Sequence, residues 1–384
     1  MNKQLSPDIC IIGGGICGLW CLRLLTEAGY SCLLVEADRL GGGQTIASQG
    51  IIHSGLKYSL GGGASGGHTP TDLRDMPAYW RRCINGEGEL DLRGVKVLAN
   101  HVLMMAGRNL GADFTAYVAS KLIAAEATPT SLTNSVLAGQ LNISSQLYQL
   151  DDFVVDTQSL LQVLVKPVKH LTIQADCKLL EDGTVALSNG TKIHSSKVVL
   201  CAGTGNAALL ESQADTVTMQ RRPLHQVMVT GKLPDLHGHL VTAFSDKPRL
   251  TITSHPITQD IICWYLGGEL AESGVQRTKH EQIEAARSEL ADLLPGLPLD
   301  QMQFDTLKID RAEPANHLQR PGSAFVEAIE HGFACWPVKL TLAPVVATDV
   351  MQGLATQLIP SHQRTDHSLP SPPVAVPPWL DARA

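Results

Sequence analysis

The chain has 384 residues, 44% of them hydrophobic and 17% charged, and a net charge of −7. That length allows two or three folding units, and the apolar content excludes wholesale disorder. Charge below the roughly 25% usual for soluble domains points to much internal surface, and the acidic balance without a basic stripe argues against a nucleic-acid partner.

Residues 8–12 form a short apolar run of strand character. A glycine-rich turn follows, and residues 19–28 carry apolar positions at helical spacing, closed by Gly29. Residues 31–35 read as a second apolar strand ending at Glu36, which makes a βαβ start. Lys3 ahead of the apolar stretch 9–25 imitates a signal peptide. Gly13, Gly14, Gly15 and Gly18 interrupt that stretch and Arg23 lies inside it, so a cytoplasmic chain is expected. No other run approaches the ~18 apolar residues of a membrane span. The nine cysteines sit mostly among apolar neighbours with no C-x-x-C pair, the pattern of reduced, buried thiols.

Residues 41–67 are loop-rich, and 15 of the 34 glycines fall within the first 67 residues. Helices are predicted over 71–83, 113–127, the later part of 153–165, 281–294 and 342–354. Strands are predicted at 95–105, in short pieces over 171–187, and at 197–201, 222–230, 249–253, 261–266 and 333–336. His237-Gly-His239 has the spacing of an imidazole pair, but it reads as a surface loop, and no metal is expected. From Pro360 onward six prolines fall in 25 residues, so the tail is expected to be extended and disordered. The alternation of blocks suggests a discontinuous domain over 1–95, 148–215 and 305–358. A second domain, over 96–147 and 216–304, would be inserted into it, with a tail at 359–384.

Gly13-x-Gly15-x-x-Gly18 follows a strand and opens a helix. The first glycine permits a tight turn, the second lets backbone N–H groups approach a pyrophosphate, and the third lets helix and strand pack closely. The phosphates then meet the positive end of the helix. Glu36 stands 18 residues after Gly18, where an acid bonds ribose hydroxyls and repels an NADP 2′-phosphate. This fingerprint alone does not separate FAD from NAD. No second complete unit exists for a nicotinamide cofactor, because Gly203-Thr-Gly205 lacks the third glycine and a spaced acid.

The run LGGGQTIASQGIIHSGLKY at 40–58 resembles the segment after the second strand in the D-amino-acid oxidase (DAO) superfamily of flavoproteins. Within it, SQGIIHSGLKY is most similar to the L-2-hydroxyglutarate dehydrogenase and glycerol-3-phosphate dehydrogenase branches. VVLCAGTGN at 198–206, RRPLHQV at 221–227, YLGGE at 265–269, IDRAE at 309–313 and CWPVKLTLAP at 335–344 follow in family order. Two segments depart from the pattern: the C-terminal loop is WPVKL rather than glycine-rich, and the run Gly61–Gly67 has no counterpart.

The resemblance implies an α/β (α+β overall) fold, a Rossmann-like FAD-binding domain with an inserted antiparallel-sheet substrate domain. It implies FAD held by Gly13, Gly15, Ile16, Cys17, Gly18, Glu36, Ala37, Gly43, Gln44, Thr45, Ser48, Gln49, Gly50, Ala202, Gly203, Lys339, Leu340 and Thr341. It also implies two-electron oxidation of a small carboxylate, a 2-hydroxy acid ahead of an amine, by hydride transfer to flavin N5. Arg311 would grip the carboxylate in a fork of two bonds. His53 would take the hydroxyl proton, and Arg222 and Tyr265 would line the substrate pocket. Dioxygen, a quinone or a protein would accept the electrons. A flavoprotein serving RNA modification is the more distant alternative.

Overall fold

The computed structural model describes residues 4–55, 71–107, 128–130, 143–211, 217–241, 248–315 and 323–381. The chain opens with β1 (Ile9–Ile12), α1 (Ile16–Glu27) and β2 (Cys32–Glu36). The helix starts three residues ahead of the predicted 19, because Gly15 already serves as its N-cap. Then come α2 (Met76–Asn85), β3 (Val102–Gly107), β4 (Thr128–Thr130) and β5 (Ile143–Leu150). Pro77 in the first turn of α2 restarts the helix after a short turn at Thr71–Arg74. The middle of the chain adds α3 (Thr157–Val165), β6 (Thr172–Gln174) and β7 (Lys197–Leu200). The second half supplies β8 (Met219–Gly231), β9 (Gly238–Val241), β10 (Leu250–Pro256), β11 (Ile262–Gly267) and α4 (Lys279–Leu293). It closes with β12 (Gln303–Pro314), β13 (Phe325–Ile329), β14 (Gly332–Trp336) and α5 (Ala343–Ala355).

Six strands form one sheet in the order β6-β2-β1-β7-β14-β13, parallel except for β13 on β14. A parallel sheet must be covered on both faces, and the side chains of β1 show how. Ile9 and Ile11 enter a core shared with α1, α3 and α5. Cys10 and Ile12 enter the opposite core, closed by a small mixed sheet that includes Cys177–Leu179 and Val185–Leu187.

Eight strands form the second sheet, ordered β12-β8-β11-β10-β9-β3-β5-β4 and antiparallel except where β9 meets β3. One face buries Val227, Val229, Trp264 and Leu266 against Ala286 and Leu290 of α4. That helix begins at a capping box between Thr278 and Glu281. The predicted strand at 95–105 divides, since Val97–Ala99 pairs with Phe153–Val155 in a three-stranded sheet while β3 joins the eight-stranded one. The predicted divisions at residues 148 and 305 fall inside β5 and β12. The predicted helix at 113–127 and the run Gly61–Gly67 lie outside the described residues.

Two expectations are corrected. The pair His237 and His239 is buried rather than on a surface loop, at β9 and its entry. His239 Nδ1 lies 2.8 Å from Thr251 Oγ1, and His237 Nε2 lies 3.1 Å from the nearby carboxylate of Asp235.

The proline-rich tail is also ordered, through residue 381. Ser361 Oγ donates to Asp8 at 2.7 Å, Gln174 N donates to Pro370 O at 2.8 Å, and Val374 bridges to Leu40. Arg39 pairs with Asp381 at 3.0 Å. Trp379 then stacks on His255 of the second sheet, ring centres 4.1 Å apart. Proline explains the order: its φ is preset and it brings no N–H, so an extended strap loses little entropy on docking and leaves few unpaired donors.

Candidate active site

A cavity of about 520 Å³ opens between the two sheets, where the loops after β1, β7 and β14 meet residues of β8 and β12. In parallel sheets a crevice forms beyond the carboxyl ends of the strands, at the point where connections leave in opposite directions. Here that point lies between β1 and β7.

The dinucleotide side is built from backbone. Gly13 has φ +106°, and a Cβ there would stand 2.5 Å from Cys201 O. A Cβ on Gly18 would stand 1.9 Å from Gly13 O, so this glycine serves packing and does not line the cavity. Gly15 and Gly43 do line it, with a Cβ at Gly15 meeting only Thr45 Oγ1 at 3.4 Å and one at Gly43 meeting nothing within 4 Å. Bare backbone facing open space is what a pyrophosphate requires. Glu36 is held at the rim by Gly14 N at 2.7 Å and Asp38 N at 3.0 Å. The donors and open backbone fit a dinucleotide cofactor: the loop after β1 and the start of α1 would hold the phosphates, and Glu36 the ribose.

The loop at 44–50 joins the two sheets. Gln44, Ser48 and Gly50 line the cavity. Thr45 Oγ1 accepts from Ile16 N at 3.0 Å, so it caps α1 from outside the helix. Gln49 Nε2 donates to Tyr265 O at 2.8 Å, which directs its amide into the second sheet. The Tyr265 hydroxyl lies 2.6 Å from Gln226 Oε1 and 3.0 Å from Ala47 O. Burial pushes that phenol above its ordinary range. Tyr265 therefore stands behind the wall, as a rivet between loop and sheet rather than as a lining residue.

His53 lines the cavity and is 6% exposed. Its position is fixed by Ile51–Ile52, which pairs with Phe153 and Val154, and by Ser54, whose N and Oγ both donate to Asp152 at 2.8 Å. Arg311 lines the cavity from β12, with Nη2 3.4 Å from Glu272 and Nε 3.4 Å from Arg222 O. Arg222 is directly opposite on β8, but it is not in the cavity wall. It is 3.2 Å from Glu313, a carboxylate only 1% exposed that requires a cation.

Ala202, Gly203, Lys339 and Leu340 line the cavity beside Ile16 and Cys17. Ala37 is exposed outside it. Thr341 is fully buried, and its hydroxyl has no hydrogen-bond partner among the described residues, while its carbonyl accepts from Trp80 Nε1 at 3.0 Å.

Three wall features escape sequence reasoning. Val338 has φ +61°, a left-handed conformation that a β-branched residue rarely adopts. It stands in WPVKL, a loop with no glycine to mark the left-handed turn. Leu224 and Ile309 are cross-strand neighbours on the cavity face, and nothing in their local sequence marks that face. Cys201 and Cys335 join Cys17 in the floor, brought together by the pairing of β7 with both β1 and β14.

The sequence pattern of the family described as FAD dependent oxidoreductase (DAO) matches residues 8–311. The probable FAD-dependent oxidoreductase PA4991 of Pseudomonas aeruginosa is 40% identical over 395 aligned residues, covering 99% of each chain. The crystal structure of PA4991 superposes with a TM-score of 0.81, at 37% identity and over 100% of both chains. Glycine oxidase of Geobacillus kaustophilus shares the fold at a TM-score of 0.67 and 14% identity, over 93% of this chain and 96% of that one. The FAD-bound L-α-glycerophosphate oxidase of Mycoplasma pneumoniae does so at 0.65 and 14%, over 98% and 100%.

Proposed function

The chain belongs to the DAO family of FAD-dependent oxidoreductases, and from that premise we propose that it oxidises a small carboxylate at a CH–OH carbon, that is, a 2-hydroxy acid. The observation that carries this reading is the placement of Arg311 and His53 in the wall of one cavity, beside the glycine loop that fits the dinucleotide.

Bound FAD supplies the two-electron acceptor for the hydrogen leaving the substrate carbon. Arg311 holds the carboxylate and so fixes which hydrogen faces the flavin. His53 takes the hydroxyl proton as the C–H bond breaks, a task suited to an imidazole. The two sheets and the 44–50 loop wall the cavity. Electrons leave to dioxygen, a quinone or a protein acceptor. No described helix is long and apolar enough to cross a membrane.

A second reading replaces the hydroxyl by an amine, as the name of the glycine oxidase with this fold suggests. A neutral amine needs no strong base, so His53 would then only touch the flavin. The two readings part on His53→Ala. The variant should lower kcat for a 2-hydroxy acid by roughly 100-fold if His53 is the base. An amine substrate should lose far less. Arg311→Met should raise KM roughly 30-fold or more while the flavin spectrum stays intact, the cost of removing one side of a charged pair. Loss of FAD from that variant instead would make Arg311 a structural partner of Glu272.

A further inference from the structure

Four thiols converge beneath the cavity. Cys17 and Cys21 lie one turn apart on α1, Cys201 follows β7, and Cys335 lies on β14. The sulfurs of Cys17, Cys21 and Cys201 all lie within 4.8 Å of one another, and Cys17 Sγ is 3.4 Å from Cys201 Sγ. The close pair is 184 residues apart in the chain. Of the four, Cys17, Cys201 and Cys335 face the cavity, whereas Cys21 lies behind them.

We propose that Cys17 and Cys201 are a peroxide-oxidisable dithiol, which closes to a reversible disulfide across the floor of the cofactor cavity.

Position supports different roles for the two. Cys17 is the second residue of α1, at the positive end of the helix. Thiol donors from Cys201, Cys21 and Cys335 also hold it well below the ordinary thiol range. The other three are pushed upward, Cys335 chiefly by burial and Cys201 and Cys21 chiefly by their bonds to Cys17. Cys17 is therefore the attacking thiolate and Cys201 the resolving thiol.

In the first step the Cys17 sulfur bonds one oxygen of hydrogen peroxide, the O–O bond breaks, and hydroxide leaves, taking up a proton to become water. In the second, Cys201 sulfur bonds Cys17 sulfur, the S–O bond breaks, and the Cys201 proton goes to the departing hydroxide as a second water. Two thiols have then given two electrons to one peroxide. The sulfurs must approach from 3.4 Å to about 2.05 Å.

The same sulfurs also lie within reach of one metal ion; a disulfide, unlike such a site, leaves the apolar core neutral, and metal analysis separates the two. The bond would join the first turn of α1 to the end of β7, across the floor of the dinucleotide crevice. The inference does not depend on which substrate is oxidised.

The test uses the full-length, FAD-loaded protein. It is treated with excess hydrogen peroxide, quenched with catalase, alkylated under denaturing conditions and digested with trypsin without reduction. Two of the nine thiols should become unreactive, and peptide 4–23 should appear joined to peptide 198–221. Dithiothreitol should reverse both changes. Cys335→Ser should keep the cross-link, and Cys201→Ser should lose it and leave a dimedone-reactive sulfenic acid on Cys17. The proposal is overturned if all nine thiols remain reactive in the peroxide-treated wild-type protein, or if the bond joins another pair. One zinc or copper ion per purified chain, blocking these thiols until a chelator removes it, would overturn it in favour of a metal site.

Discussion

The two sides of the cavity are built on opposite principles. On the β1–α1 side the shape is set by atoms that are missing: a methyl group at Gly18 would lie 1.9 Å from a backbone oxygen, and Gly43 leaves open space. On the second-sheet side the shape is set by long contacts between distant residues. Gln49 and Tyr265 are 216 positions apart, and Tyr265 and Ala47 are 218 apart. At Gly13 and Gly18 the first side tolerates no addition. The second should tolerate small changes and weaken in steps.

Gly18→Ala should show the largest effect. Its Cβ meets backbone that cannot rotate aside, so overpacking of about 1–3 kcal/mol falls on the pyrophosphate turn. Purified variant protein should retain little FAD, as read from its visible absorbance. Full FAD content would break the contrast, because it would show that this side yields too.

Acid should weaken the second side next. Burial, helped by His237, lowers His255 to about 3, so this ring stays neutral in the folded protein. The unfolded chain binds the proton near pH 6.5, so this stabilisation is complete above that pH and is lost as pH falls from 6.5 toward 3. The slope approaches about 1.4 kcal/mol per pH unit. Denaturant midpoints measured from pH 7 to pH 4 should fall, and His255→Phe should flatten the fall.

Trp379→Ala removes the ring that the tail lays on His255 and Tyr265. A half-buried tryptophan of this kind should cost about 2 kcal/mol, below the range for full burial. Chemical denaturation should show this, and amide exchange should rise along 359–381 and at the Leu40 bridge. Unchanged exchange would mean that the tail docks without its tryptophan.

Val338→Gly should have the smallest effect and the opposite sign. Left-handed backbone costs a non-glycine residue about 1–2 kcal/mol, and glycine returns about 0.5–1 kcal/mol of that through unfolded-chain entropy. A gain of up to about 1 kcal/mol in thermal unfolding is expected. A loss would mean that the valine side chain packs usefully in the wall.

The same contrast explains what could be read from the sequence. The β1–α1–β2 start was legible because the backbone requirement is local: three glycines and an acid within 24 residues record it. Strands β1, β2 and β7 were legible because both their faces are buried and, apart from Glu36 and Lys197 at strand ends, their residues are apolar. Long β12 was not, since Lys308, Asp310 and Arg311 interrupt any apolar pattern on a strand with half-exposed faces. Arg311 lies in the cavity wall, whereas Arg222 does not, because Glu313, far along the chain, claims it. The tail was misread because proline content reports the absence of helix and sheet, not the absence of docking. Nothing local to Cys201 or Cys335 foretells that they meet Cys17.

The most direct measurement follows the bound flavin under anaerobic conditions while a panel of 2-hydroxy acids and amino acids is added. The oxidised-flavin absorbance should be lost with a 2-hydroxy acid, and much more slowly in His53→Ala. Bleaching by amino acids alone would contradict the 2-hydroxy acid reading and establish the amine reading in its place.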